Sequence, residues 1–121
     1  MNNINKPIGY YGEDLASIYL KKNNHIILDK NFRNKNGEID IISKTMDLLV
    51  FTEVKTRFSK SYGSPLEAVT SEKQKKIKTI ASYYIHRKGL YNINIRFDVI
   101  LISLNYYNAD YTISHIPDAF R

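Results

Sequence analysis

The segment Leu48–Arg57 constrains the fold most. It opens on Leu48-Leu49-Val50-Phe51, apolar at odd and even positions alike, and closes on Thr52-Glu53-Val54-Lys55-Thr56-Arg57, where charge returns at every second residue. Side chains alternate faces along a strand, so the first half needs apolar cover on both faces. Such a strand belongs inside a sheet with helices packed on it. Two helical patterns supply that cover. Tyr10 to Lys22 carries Tyr11, Leu15, Ile18 and Lys22 at helical spacing, with Ala16 and Tyr19 widening the stripe, and ends at Asn23-Asn24. The second helix opens on a capping box of Ser71 with Gln74, turns Ile77, Ile80, Ala81, Tyr84 and Ile85 inward, and stops at Gly89.

Four further strands surround the central one. His25–Leu28 and Asn31–Arg33 read as one strand interrupted at Asp29-Lys30, and a turn cluster over Asn34–Gly37 leads into Glu38–Ser43. Asn94–Leu104 and Asp110–Ile116 complete the set, the last ending before Pro117. The order α-β-β-β-α-β-β predicts an α/β domain: a mixed five-stranded sheet flanked by helices, over residues 8–121, behind a polar, flexible start at 1–7. At 121 residues there is room for one domain.

Composition narrows the chemistry. With no Cys, a disulfide scaffold, a thiolate metal site and a Cys nucleophile are excluded, and His25, His86 and His115 are too scattered to suggest a role. No apolar run approaches the ~18 residues of a membrane span, and the N-terminus lacks a signal-peptide core, so a cytoplasmic protein without membrane contact is expected. Eighteen Lys and Arg against twelve Asp and Glu leave a net charge of +6, which favours a polyanionic partner such as nucleic acid. The stretch from Phe58 to Pro65 has the composition of a functional loop.

The charged half of the central strand is where chemistry is expected. Leu49, Phe51, Glu53, Lys55 and Arg57 share one face. In the preceding strand Glu38, Asp40 and Ile42 share one face and Ile39 and Ile41 the other. A hairpin turning at Met46-Asp47 sets Asp40 opposite Glu53 and Glu38 opposite Lys55. Opposed Cβ atoms lie ~4.5–5.5 Å apart, so two carboxylates there repel unless a cation intervenes. A hard divalent ion fits: Mg²⁺ takes one or two carboxylates and fills its remaining positions with water and phosphate oxygens.

Gly37-Glu-Ile-Asp40-Ile-Ile followed by Phe51-Thr-Glu53-Val-Lys55-Thr-Arg57 resembles the Asp…Glu-x-Lys signature of the restriction-endonuclease-like nuclease superfamily. Within it, the chain looks like the bacterial YraN family, which is similar to archaeal Holliday junction resolvases. The resemblance runs from about Gly9 to Ile116 and includes Gly12-Glu13 with Ala16, Asn31-Phe-Arg33, Lys73, and Arg96-Phe-Asp98-Val-Ile. It implies a restriction-endonuclease-like fold and Mg²⁺- or Mn²⁺-dependent hydrolysis of DNA, with branched or otherwise structured DNA as substrate. By the same resemblance Asp40 and Glu53 are metal ligands, Lys55 is the catalytic lysine, and Glu13 is a further acidic residue over the site. Thr52 departs from the apolar residue expected there.

Simpler roles compete at several positions. Glu13, as the third residue of a helix beginning near Tyr10, would serve the helix dipole, and Glu38 would either bind metal or pair with Lys55. Lys73 lies one turn before Ile77 and so should project over the sheet, towards a phosphate; Arg33 and Arg57 are further phosphate contacts. Arg96 and Asp98 form a structural ion pair by default. A two-fold homodimer would suit a resolvase. The alternative to a nuclease is a non-catalytic nucleic-acid-binding module on the same fold.

Overall fold

The computed structural model describes residues 6–58 and 69–121, with side chains from Ile8 onward. The polar start at 1–5 and the loop expected beyond Phe58 lie outside the described residues. The element order is the expected one: α1 (Lys6–Lys22), β1 (Ile26–Asn34), β2 (Gly37–Thr45), β3 (Leu48–Phe58), α2 (Ser71–Lys88), β4 (Asn94–Leu104) and β5 (Tyr111–Phe120). They build one mixed sheet of order β1-β2-β3-β4-β5. β1, β2 and β3 run antiparallel in succession, β4 returns parallel to β3 after α2, and β5 is antiparallel to β4.

β3 lies at the centre, as its two-faced apolar run requires. Leu49 and Phe51 pack with Phe97 and Val99 beneath Ile77, Ile80, Ala81 and Tyr84 of α2. On the opposite face Val54, Ile100 and Ile102 meet Ala16 and Leu20 of α1. Burying an Ile or Leu side chain stabilises the fold by ~1.5–3 kcal/mol, so these two layers hold each helix against the sheet.

α1 differs from its sequence reading in start and in orientation. It begins at Lys6 rather than near Tyr10, because a proline in the first turn sacrifices no helical hydrogen bond. Its buried face is centred on Ala16 and Leu20, while Tyr11 and Ile18 are 45% and 50% exposed. Close approach decides the rotation. A Cβ on Gly12 would fall 1.8 Å from the Thr56 Oγ1, so only glycine lets α1 lie this near β3. Gly12, Ala16 and Leu20 recur every four residues and form the seam; the bulkier stripe is displaced sideways.

Smaller differences follow from local chemistry. β1 is continuous, with a bulge between Ile27 and Asp29 and a left-handed residue at Asn31 (φ 55°). The cap of α2 is Thr70 rather than Ser71: its hydroxyl accepts the Lys73 N–H at 3.2 Å. Gly89, at φ 67°, closes that helix as expected. β5 continues past Pro117 to Phe120, because on an edge strand a missing N–H costs no ladder bond. Among the described residues no helix is long and apolar enough to cross a membrane.

β2 carries the difference that matters most. Simple alternation puts Ile39 and Ile41 on one face, yet Ile39 packs in the α2 layer and Ile41 in the α1 layer. The step lies at Asp40. Its neighbours pair with β1 as Phe32↔Ile39 and Lys30↔Ile41, but Asp40 and the left-handed Asn31 stay out of that ladder.

Candidate functional site

The β2–β3 ladder runs from Thr45↔Leu48 to Ile41↔Thr52, and its register leads next to Asp40 and Glu53. There the strands part. The Asp40 Oδ2 accepts the Val54 N–H at 2.7 Å, so a side chain replaces the next rung and fixes the carboxyl in the fork.

Two acidic residues reach Asp40 from neighbouring elements. Glu13 extends from α1, positioned by the contact that Gly12 makes possible, and Glu38 stands two residues before Asp40 on β2. One oxygen from each of Glu13, Glu38 and Asp40 lies within 4.8 Å of the others. Asn31 ties two of them together: its Nδ2 donates to Glu13 Oε1 at 2.8 Å and to Glu38 Oε2 at 2.5 Å. Glu38 is also ion-paired with Arg33, Nε lying 3.4 Å from Oε1. Glu53 is buried on the other side of the fork, ion-paired with Lys73 from the first turn of α2.

The electrostatics record the crowding. Burial, and then the charge of Glu53, push the Asp40 carboxyl from 3.8 up to about 9, against the stabilising bond from Val54. Glu13 is raised mainly by burial; its bond from Asn31 opposes the shift and Glu38 adds to it. Burial works against the Lys73 ammonium, but Glu53, Asp40 and Glu38 outweigh it and raise its pKa. Acids that resist ionisation beside a cation held more tightly than usual mark a place short of positive charge. All the donors are hard carboxylate oxygens, the set that suits Mg²⁺ or Mn²⁺.

The expected site residues distribute as follows. Asp40 and Glu53 meet at the fork, and Glu13 joins them. Glu13 lies in mid-helix and the first turn of α1 holds no acid, which removes the dipole role. The oxygens that converge are those of Glu13, Glu38 and Asp40, while Glu53 is engaged by Lys73. Lys55 is exposed, the next residue along β3 on the Glu53 face. Lys73 projects over the sheet as its spacing indicates. Arg33, beside Glu38, is exposed; Arg57 is half-buried near the end of β3.

Asn31 is the residue that sequence reasoning missed as a participant. A signal was present, since asparagine interrupting a strand pattern is among the few side chains that tolerate the left-handed region.

A second polar group lies beneath α1. Asp98 is fully buried and accepts Arg96 Nε and Nη2, each at 2.9 Å, as the default ion pair requires. His115 Nε2 is 2.8 Å from the same carboxylate, and the Tyr19 hydroxyl is 3.1 Å from His115 Nδ1. The Asp118 N–H completes the set at 3.0 Å. Burial disfavours the Asp98 charge, but the bonds from His115 and Arg96 overcome it and hold the pKa below the usual carboxylate range. This carboxylate has its partners in place, unlike Asp40. It anchors β4 to β5.

Residues 12–102 match the family described as Uncharacterised protein family UPF0102. The chain belongs to this family. UPF0102 proteins of Clostridium beijerinckii and Clostridium acetobutylicum are 52% and 50% identical to it over 121 residues, spanning all of this chain and 98% and 99% of their own lengths. A UPF0102 protein of Clostridium perfringens is 49% identical over the same span, covering 99% of its length. The UPF0102 match takes in Glu13, Asn31, Glu38, Asp40, Glu53 and Lys73 and ends at Ile102 within β4.

Proposed function

We propose that this UPF0102 protein is a cytoplasmic, metal-dependent nuclease of the restriction-endonuclease-like kind that hydrolyses the phosphodiester backbone of DNA, branched or otherwise structured DNA being the substrate class implied by the resolvase resemblance. One observation carries the reading: the half-buried Asp40 carboxyl, fixed in the fork with Glu13 and Glu38 beside it and Glu53 across it. A site built only to hold phosphate gains nothing from carboxylates; one built to hold Mg²⁺ or Mn²⁺ against phosphate needs them.

Asp40 would be the shared ligand, with Glu13 and Glu38 on one side and Glu53 on the other. A divalent ion there would polarise the phosphate and lower the pKa of water. Asn31 keeps Glu13 and Glu38 together, and the Val54 N–H keeps Asp40 oriented. Lys73 neutralises Glu53 until a phosphate competes for its ammonium, and its departure frees Glu53 to serve as a ligand. Lys55 stands where a cation can orient the attacking water or meet charge developing on phosphorus. Arg33 and Arg57 would contact the flanking backbone. A two-fold pair of chains would offer one fork to each of two strands.

The test is calorimetric titration of Mg²⁺ and Mn²⁺ into the wild type and Asp40→Asn/Glu53→Gln, with and without a four-way junction or linear duplex, followed by cleavage assays. Metal binding that requires the carboxylates and strengthens with DNA, together with strand scission lost in Lys55→Ala, is the expected result. No metal binding with DNA present, and undiminished DNA affinity in the double variant, would make this a non-catalytic binder.

A further inference from the structure

The strand that carries Glu53 and Lys55 ends in an aromatic cluster. Phe58, the last residue of β3, stacks on Tyr106 with ring centroids 4.4 Å apart and planes inclined by 13°. Tyr107 follows at 6.4 Å from Tyr106. Both tyrosines lie in the β4–β5 hairpin, and they are 71% and 95% exposed. Leaving rings of this size in water forgoes the apolar contact that usually places them.

The hairpin holds them in a defined turn. Asn105 Oδ1 accepts the Tyr107 N–H and Asn108 Oδ1 accepts the Asp110 N–H, each at 2.8 Å, while Asn105 N–H bonds the Asp110 carbonyl at 3.1 Å. Tyr106, Tyr107, Asp110 and Tyr111 line a cavity of about 320 Å³.

Position and charge identify the occupant. β3 and β4 pair in unbroken parallel register to Phe58↔Leu104, so the cluster lies just past Lys55 and Arg57 at the same end of the sheet. The five residue steps from Glu53 to Phe58 span ~17 Å, a few nucleotides of an extended strand. Alternation sends Phe58 to the α1 face, opposite Lys55, so the rings flank the carboxylates without roofing them. Asp110 would repel a phosphate, but its carboxylate suits an exocyclic amine on a base edge. Arg57, one residue before Phe58, would face the backbone, and the rings present π-faces.

We propose that the Phe58–Tyr106–Tyr107 cluster is a stacking platform for an unpaired nucleobase of the DNA strand lying across the fork. It selects DNA with a single-stranded or unstacked segment beside the cleavage point. This rests on the nuclease reading for its place next to cleavage; the stacking itself can be measured without turnover.

The experiment uses the full chain in EDTA, so that no cleavage intervenes. The probe is a hairpin duplex with a short single-stranded arm carrying a fluorescent base analogue that stacking quenches, compared with the same duplex ended bluntly. The wild type should quench the analogue and bind the armed DNA ~5–100-fold tighter than the blunt one. Tyr106→Ala/Tyr107→Ala should lose the quenching and the preference while keeping its affinity for blunt duplex, and Tyr106→Phe/Tyr107→Phe should keep all three. An equal preference in the alanine variant, or no quenching by the wild type, overturns the proposal. So does a loss of self-association in that variant with quenching unchanged, which would make the rings a contact between copies. Cleavage with Mg²⁺ is then scored separately: a wild type that stacks but never cuts removes the nuclease reading alone, and one that cuts without stacking removes this proposal alone.

Discussion

Asp40, half-buried, and Asp98, fully buried, both stand on interior strands, and their surroundings push them in opposite directions. Among the described residues Asp40 has one bond, from Val54, and acidic neighbours; Asp98 has Arg96, His115 and a backbone N–H. Because the folded Asp40 carboxyl titrates near 9 and the unfolded one near 3.8, the folded state holds its proton more tightly. That contribution to stability is therefore complete below the unfolded value and is lost as pH rises through the folded one. Metal-free wild type should lose thermal stability from pH 5 to 9 more steeply than Asp40→Asn, whose amide can still accept the Val54 N–H. At pH 8 the variant should melt higher, by about 3–6 °C for each kcal/mol regained. Added Mg²⁺ should raise the wild-type melting temperature and leave the variant unmoved; melting curves across pH decide both points. Asp98→Ala should have the reverse character, losing about 3–5 kcal/mol in denaturant titrations because the Arg96 charge and His115 are left without their acceptor. The sequence placed Asp40, Glu53 and Lys55 through strand alternation and a two-residue turn. It did not place Asn31 or His115, whose roles depend on which strands become neighbours.

At the scale of elements, the seam between α1 and β3 links stability to the site. Gly12 allows the approach, and Glu13, the next residue, projects over the fork. Gly12→Ala should cost about 1–3 kcal/mol by overpacking and should weaken Mg²⁺ binding as Glu13 is carried outward. Thr56→Ala in the same chain removes the hydroxyl that the new methyl meets first and should restore part of both. Equal metal affinity in the destabilised variant would show that Glu13 lies outside the site. The elements themselves were legible because α2 and β3 bear strong periodic patterns with clear caps and turns. The face of α1 was not. Its stripe was read from the largest apolar residues, whereas the packing seam follows the smallest. The step in β2 was hidden for a related reason: the left-handed Asn31 interrupts an alternation that the sequence shows as unbroken.

At the scale of the whole molecule, a chain of net charge +6 concentrates acid at the centre of its sheet. On the nuclease reading proposed above, phosphate would be drawn to the surface by Lys and Arg through counterion release and would then meet Glu13, Glu38, Asp40 and Glu53 at the fork. Without a divalent ion these carboxylates would oppose a strand that the rest of the surface attracts. Asp40→Asn/Glu53→Gln should therefore bind duplex DNA more tightly than wild type in EDTA, by severalfold at low salt, with the gap narrowing as salt screens it. Mg²⁺ should tighten the wild type and leave the variant nearly unchanged, so that the two affinities converge. Lys73→Ala separates this field effect from a direct phosphate contact. Removing the ammonium exposes Glu53, so binding in EDTA should fall further than the loss of one phosphate contact accounts for. Restoring it by Glu53→Gln in the same chain would assign the deficit to the carboxylate. Fluorescence anisotropy over a salt series measures both effects, and a double variant that binds no more tightly than wild type in EDTA at low salt would place the DNA away from the fork.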